Sequence, residues 1–284
     1  MRQRRLGESA VGAIGLGAMP MSVEGRPDRA RSMATIHTAL DCGVTLIDTA
    51  DAYSLGRSDT GHNERLVAEA VRTWPGAGEE VIIATKGGHL RTEDGSWRLN
   101  GRPEYLKRAC EASLRALGVE VIDLYQFHRP DPDVPFAESV GALAELRDEG
   151  KIRLAGLSNV TIAQIDEALA IVPIASVQNQ FSPAFLSSAG ELEYCQKQGI
   201  AFLAWSPLGG MSAARRIGEQ YSAFAVVADR HGVSPQQVAV AWELAQGDVV
   251  IPIPGSSRPE TIRDSVAAAD LRLGEDDLAL LEAR

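Results

Sequence analysis

Cysteine is scarce. Cys42, Cys110 and Cys195 are the three in 284 residues, and an odd, widely spaced set gives no disulfide framework. No C-x-x-C or Cys/His spacing occurs, so nothing points to a zinc site or any other metal, and isolated thiols suit a reducing compartment. Long apolar runs are missing too, none approaching the roughly 20 residues of a membrane span. The start, MRQRRLGESAVGAIGLG, has neither the long apolar segment nor the cleavage site of a signal peptide; a cytoplasmic location is expected. Positive charge is in deficit, with 28 Lys and Arg against 38 Asp and Glu and a net charge of −10. That argues against the basic surfaces that nucleic acid and anionic membranes require. A dinucleotide fingerprint is lacking as well. Gly12, Gly15 and Gly17 in GAIGLGAMP depart from the G-x-G-x-x-G order, and Pro20 interrupts where a helix should begin. No Walker A sequence is present.

What the chain does have is a series of short apolar runs, rich in Val and Ile, that end on polar or reactive residues. Asp48 closes VTLID, Lys86 closes VIIATK and His128 closes VIDLYQFH. Ser158 and Asn159 close IRLAGLSN, Gln178 closes IASVQ, Ser206 closes IAFLAWS, and Ser256 follows VVIPIPG. With AIGLG as the first, eight strands are expected, centred on 13–17, 44–48, 81–85, 121–127, 152–157, 174–178, 200–205 and 249–253. Runs that are apolar on both faces are those of parallel strands covered by helices.

Amphipathic segments lie between them. Helices are expected over Arg29–Cys42, Pro103–Leu117 and Pro135–Glu149, each followed by glycine. Two later ones open on capping boxes, Thr161 with Gln164 and Ser234 with Gln237. Eight strand–helix units without a shift in composition predict an α/β fold with one domain over residues 1–284, a single (β/α)8 TIM barrel. The segments 87–102 and 181–190 read as long rim loops. In such a barrel the carboxyl ends of all strands meet at one rim, so residues from 48 to 256 can share a pocket.

Four of these residues have compatible chemical tasks. Reducing a carbonyl requires a hydride donor and a proton donor to the developing alkoxide. Tyr53, in the loop after Asp48, can give that proton, and a neighbouring ammonium from Lys86 is expected to lower the phenol pKa from about 10. Asp48 supplies the carboxylate that keeps a buried Lys86 charged. His128 can hydrogen-bond and orient the carbonyl oxygen.

The segments DTADAY, the Lys86 strand end, LYQFH, GLSN, SVQNQFS and AWSPL resemble the aldo-keto reductase superfamily in order and spacing across nearly the whole chain. The resemblance implies a barrel that binds NADPH, with NADH as the alternative, in extended form without a Rossmann fold. It implies a catalytic tetrad of Asp48, Tyr53, Lys86 and His128, no metal, a small-molecule carbonyl substrate, and a monomer as the commonest state. By the same resemblance Ser158, Asn159 and Gln178 would hold the nicotinamide carboxamide, and Trp205 would stack on the ring. Ser206, Leu208 and Gly210 would line the pyrophosphate. Ser256, Arg258, Asp264 and Ser265 would hold the adenosine end, with Arg258 as the phosphate-binding cation. Gly255 and Thr261 stand where many members have Lys and Arg, which predicts a milder preference for NADPH. Met19, Met21, Trp97 and Arg129 are substrate-pocket candidates; Arg129 is expected to pair with Asp131 or Asp133. Two rival readings are a Schiff-base aldolase using Lys86 and a cofactor-sensing or scaffold protein without turnover.

Overall fold

A computed structural model describes residues 1–76, 80–210 and 213–283. The chain opens with an antiparallel hairpin, β1 (Gln3–Leu6) and β2 (Ser9–Gly12), which the sequence pattern does not announce. Gly7 turns it with φ +59°, and a Cβ there would press on Leu154, so glycine is required by both conformation and space. Then come β3 (Leu16–Gly17), β4 (Leu46–Asp48) and β5 (Ile82–Gly87). A second hairpin follows, β6 (His89–Arg91) with β7 (Trp97–Leu99). The remaining strands are β8 (Ile122–Phe127), β9 (Ile152–Ser158), β10 (Ile174–Gln180), β11 (Ala201–Trp205) and β12 (Val250–Pro252).

Eight strands form one parallel sheet in the order β3-β4-β5-β8-β9-β10-β11-β12. The ring closes where Gly15 N–H donates to Pro252 O at 2.9 Å and Gly17 N–H to Pro254 O at 3.1 Å. A Cβ on Gly17 would stand 2.9 Å from Ile253 O, so the seam needs glycine. The fold is the (β/α)8 barrel. Its helices surround the strands, among them Arg29–Asp41, His62–Thr73, Pro103–Leu117, Phe136–Asp148 and Pro235–Ala245. The Thr161–Gln164 capping box is formed in both directions, whereas at Ser234 the bond present is the hydroxyl accepting from Gln237 N–H at 3.0 Å.

Inside the ring, Leu46, Ile82, Leu124, Ala201, Leu203 and Ile251 pack with Leu6 and Val11 of the first hairpin. Gly12 N–H also donates to Thr45 Oγ1 at 2.8 Å. The hairpin therefore stoppers the amino ends of the strands and leaves the carboxyl rim as the open end. No helix among the described residues is long and apolar enough to cross a membrane.

Candidate active site

A cavity of about 540 Å³ opens at the carboxyl rim. Lys86, at the end of β5, is fully buried beneath it. Its ammonium donates to Asp48 Oδ2 at 2.7 Å, to Thr49 O at 2.8 Å and to Tyr53 Oη at 3.1 Å. Three donors meet three acceptors, so the ammonium is fully satisfied. Burial alone would lower the Lys86 pKa, but Asp48 and Tyr53 outweigh it and the net shift is upward. Removing one partner from such a buried pair costs about 3–5 kcal/mol.

The other oxygen of Asp48 is held from across the barrel. Gln178 Nε2 on β10 donates to Asp48 Oδ1 at 2.7 Å, and Gln126 Nε2 on β8 reaches it at 3.4 Å. Gln126 faces the interior and is missed by the sequence reading. The alternation of the run VIDLYQFH could have flagged it, because position 126 shares a face with Leu124 and His128.

Tyr53 lines the cavity while remaining 7% exposed. Here the structure corrects an expectation. The phenol pKa is raised, because burial exceeds the lowering by Lys86 and Asp48 pushes it further up. In the free barrel Tyr53 therefore holds its proton firmly, with the ammonium poised against its oxygen. His128 packs its ring edge-on against Tyr53, with centroids 5.7 Å apart. Burial first, then Lys86, His89 and Arg129, push the imidazole pKa well down, so it is neutral.

Asn159 and Ser206 are the two non-glycine residues with positive φ among the described residues, at 59° and 53°. Both stand at strand ends on the cavity, where strained backbone concentrates at functional sites. Asn159 Nδ2 donates to His128 O at 3.0 Å and to Ser158 Oγ at 2.9 Å, tying the end of β9 to that of β8. Ser158, Gln178, Trp205, Leu208 and Gly210 also line the cavity, as do Met19, Trp97 and Arg129.

Other candidates lie elsewhere. Met21 is buried in the core between barrel and helices, because the short helical turn Met19–Met21 directs Met19, not Met21, to the cavity. Ser256 is buried and bonded to Thr261 Oγ1 at 2.6 Å and Arg258 O at 3.0 Å. Asp264 Oδ2 accepts from Ser234 Oγ at 2.6 Å, and Ser265 is buried. Arg258 precedes the helix Pro259–Ala267, with its Nε 3.7 Å from Glu260. None of these four lines the cavity, although neighbouring Gly255 does.

The expected pairing of Arg129 does not form. Asp131 accepts from Gly101 N–H at 2.8 Å and Asp133 N–H at 3.0 Å, and the exposed Arg129 at the cavity wall has no ion pair among the described residues. The segment 87–102, expected to be irregular, brings another residue that the sequence reading missed. His89, after the paired glycines that end β5, lines the cavity, and burial with Arg129 and Arg91 lowers its pKa to about 4.

The sequence profile described as the Aldo/keto reductase family matches residues 13–284. The chain belongs to the aldo/keto reductase family. An uncharacterized oxidoreductase of Schizosaccharomyces pombe is 36% identical over 282 residues, covering 98% of this chain and 88% of that protein. Among solved structures, an aldo-keto reductase from Klebsiella pneumoniae in complex with NADPH is similar at a TM-score of 0.82 and 28% identity, over 99% of this chain and 95% of that one. The thermostable aldo-keto reductase Tm1743, in complex with the inhibitor epalrestat, is similar at a TM-score of 0.83 and 30% identity, over 100% and 99% of the two chains. This aldo/keto reductase thus shares the barrel of an oxidoreductase family.

Proposed function

We propose that this aldo/keto reductase reduces an aldehyde or ketone to an alcohol with NADPH as the hydride source. The observation that carries the reading is the fully buried Lys86 ammonium bridging Asp48 and the Tyr53 hydroxyl at the cavity floor. The cavity lining supports placing the nicotinamide end of the dinucleotide there. Neutral donors and acceptors from Ser158 and Asn159 stand beside Trp205, and the left-handed Ser206, Gly209 and Gly210 lead towards Gly255. Beyond it Arg258 and the N-terminus of the nine-residue helix Pro259–Ala267 offer positive charge to a phosphate. When bound, the cofactor supplies the hydride.

The chain's own residues do the rest. His128, neutral, orients the carbonyl oxygen towards Tyr53. Tyr53 gives its proton to the oxygen as charge develops there, and Lys86, 3.1 Å away, stabilises the tyrosinate left behind. Asp48 and the two glutamines fix the ammonium. The apolar faces of Met19, Pro20 and Trp97 suit an aliphatic or aromatic substituent, and Arg129 gives an anionic group a place at the wall.

This geometry speaks against a Schiff-base role for Lys86. A protonated amine with every N–H engaged has no lone pair for attack on a carbonyl. The test is NADPH oxidation across a panel of aldehydes, ketones and quinones, with Tyr53→Phe as control. Wild-type turnover is expected to fall at least about 100-fold in the variant, with cofactor affinity retained. Equal rates in the two proteins would overturn the proton-donor assignment, and no turnover of any carbonyl by wild type despite tight NADPH binding would favour a cofactor-sensing role.

A further inference from the structure

The ring of His128 makes no hydrogen bond to any described residue, and its buried Nδ1 is unpartnered. Its backbone is secured on both sides, since His128 N–H donates to Gly87 O at 2.9 Å and His128 O accepts from Asn159 at 3.0 Å. Neither bond sets the side-chain torsions. Ring packing must do so, and two rings supply it. Tyr53 lies on one side; on another, His89 meets His128 at 4.8 Å between centroids with the planes at 84°.

His89 is itself held in place. Its ring also packs, tilted, against Trp97, with centroids 4.8 Å apart. The Arg91 guanidinium lies 4.3 Å from the Trp97 ring, forms an ion pair with Glu24, and donates from Nε to Ser54 O at 3.1 Å. Arg91, Trp97 and His89 thus form a stack, built on the hairpin of β6 and β7 and anchored to two other loops, that ends against the His128 ring.

We propose that His89 is a positioning residue, whose ring, edge-to-face with His128, fixes the orientation in which His128 meets the substrate carbonyl. The role is one of shape and ring contact rather than proton transfer, and it rests on the reading of His128 as the carbonyl-orienting group. Aromatic side chains in this arrangement favour the offset or perpendicular geometry over others, and misorientation of a catalytic group is felt in the chemical step more than in ground-state binding.

The test compares His89→Leu, which keeps apolar bulk without a ring, with His89→Phe, which keeps a ring without a titratable group. NADPH affinity is measured by fluorescence, and kcat and KM with the best carbonyl substrate. His89→Leu is expected to lose about tenfold in kcat with NADPH affinity unchanged, and His89→Phe to recover most of that loss with the wild-type pH profile. Wild-type kcat in His89→Leu, a change confined to KM, or equal slowness of the two variants would overturn the proposal. If His89→Leu does not fold, as judged by NADPH binding, His89→Gln takes its place as the ringless variant. Tyr53→Phe and His128→Ala, assayed alongside, separate the two levels. Undiminished activity there would remove the underlying catalytic reading, whereas their inactivity together with wild-type behaviour of His89→Leu would remove this inference alone.

Discussion

At the scale of single residues, the site is governed by which group holds which proton. Tyr53 has its pKa raised from about 10 by burial, against the pull of Lys86, and His128 is held neutral by burial and nearby cations. On the proposed mechanism the active protonation state is phenol with neutral imidazole, and the directions of these shifts keep both groups in it across the neutral range. kcat/KM for reduction is expected to stay level from about pH 6 to about pH 9 and to fall only as Tyr53 deprotonates above about pH 10. A descending limb centred near neutrality in wild type would show that another group supplies the proton. A second prediction concerns Arg258, whose only ion-pair contact among the described residues is the long one to Glu260. It is free to take a phosphate, and Arg258→Ala should reduce kcat/KM with NADPH about 10-fold or more while leaving the NADH value nearly unchanged. Equal values for the two cofactors in wild type would refute the preference.

At the scale of elements, the amino-terminal hairpin is a stopper for the barrel. Leu6→Ala would open a void among Leu46, Ile82, Leu124 and Ala201 and should cost about 2–5 kcal/mol, read as a lower Tm. Activity at moderate temperature should persist, because the carboxyl rim lies at the other end. Loss of turnover without loss of Tm would contradict that separation.

This hairpin also shows where sequence legibility ends. The eight barrel strands are readable because both of their faces are apolar; β4 ends on Asp48 as expected, whereas β5 runs one residue past Lys86 and β8 stops one residue before His128. The first of them is shorter than the reading, Leu16–Gly17 instead of 13–17, because Ala13 N–H turns to Arg2 O and Gly15 N–H to the seam. β1 and β2 carry one or two buried residues each within a basic, polar stretch, so no periodicity marks them. His89 was hidden for the same reason, lying in a segment that reads as a polar loop although E-D-G turns it into a hairpin. Gln126 looked like part of an apolar run, and Tyr53's net pKa was out of reach because burial depth is not written in the motif.

At the scale of the whole molecule, four carboxyl groups among the described residues are buried apart from Asp48; Asp277 is lowered by its hydrogen bond from His231, and the other three are raised. For Asp51 the cause is burial and then Glu64, and for Glu64 it is burial, opposed by Thr85. Glu243, in the helix Pro235–Ala245, is fully buried, and neither of its carboxyl oxygens is hydrogen-bonded to any described residue. Its pKa is pushed well above the ordinary 4.5 by burial. The sign follows directly. Above about pH 4.5 the unfolded chain has released this proton and the folded chain still holds it, so stability declines as pH rises until the folded-state pKa is passed. Glu243→Gln should flatten part of that decline and melt higher than wild type at about pH 8, with the two curves approaching each other near about pH 4. Parallel Tm curves would show that Glu243 finds a partner on folding.

The Arg91 clasp carries one more consequence. A wall bolted to two neighbouring loops cannot swing outward to admit a wide guest, so the room beside His128 is furnished before anything enters. On the proposed carbonyl-reducing reading, such a site would screen by silhouette. Bulky carbonyls should be turned away at the door instead of being bound in a distorted pose, and widening the range of accepted molecules would begin with loosening Glu24 or Arg91, residues that no reactant touches.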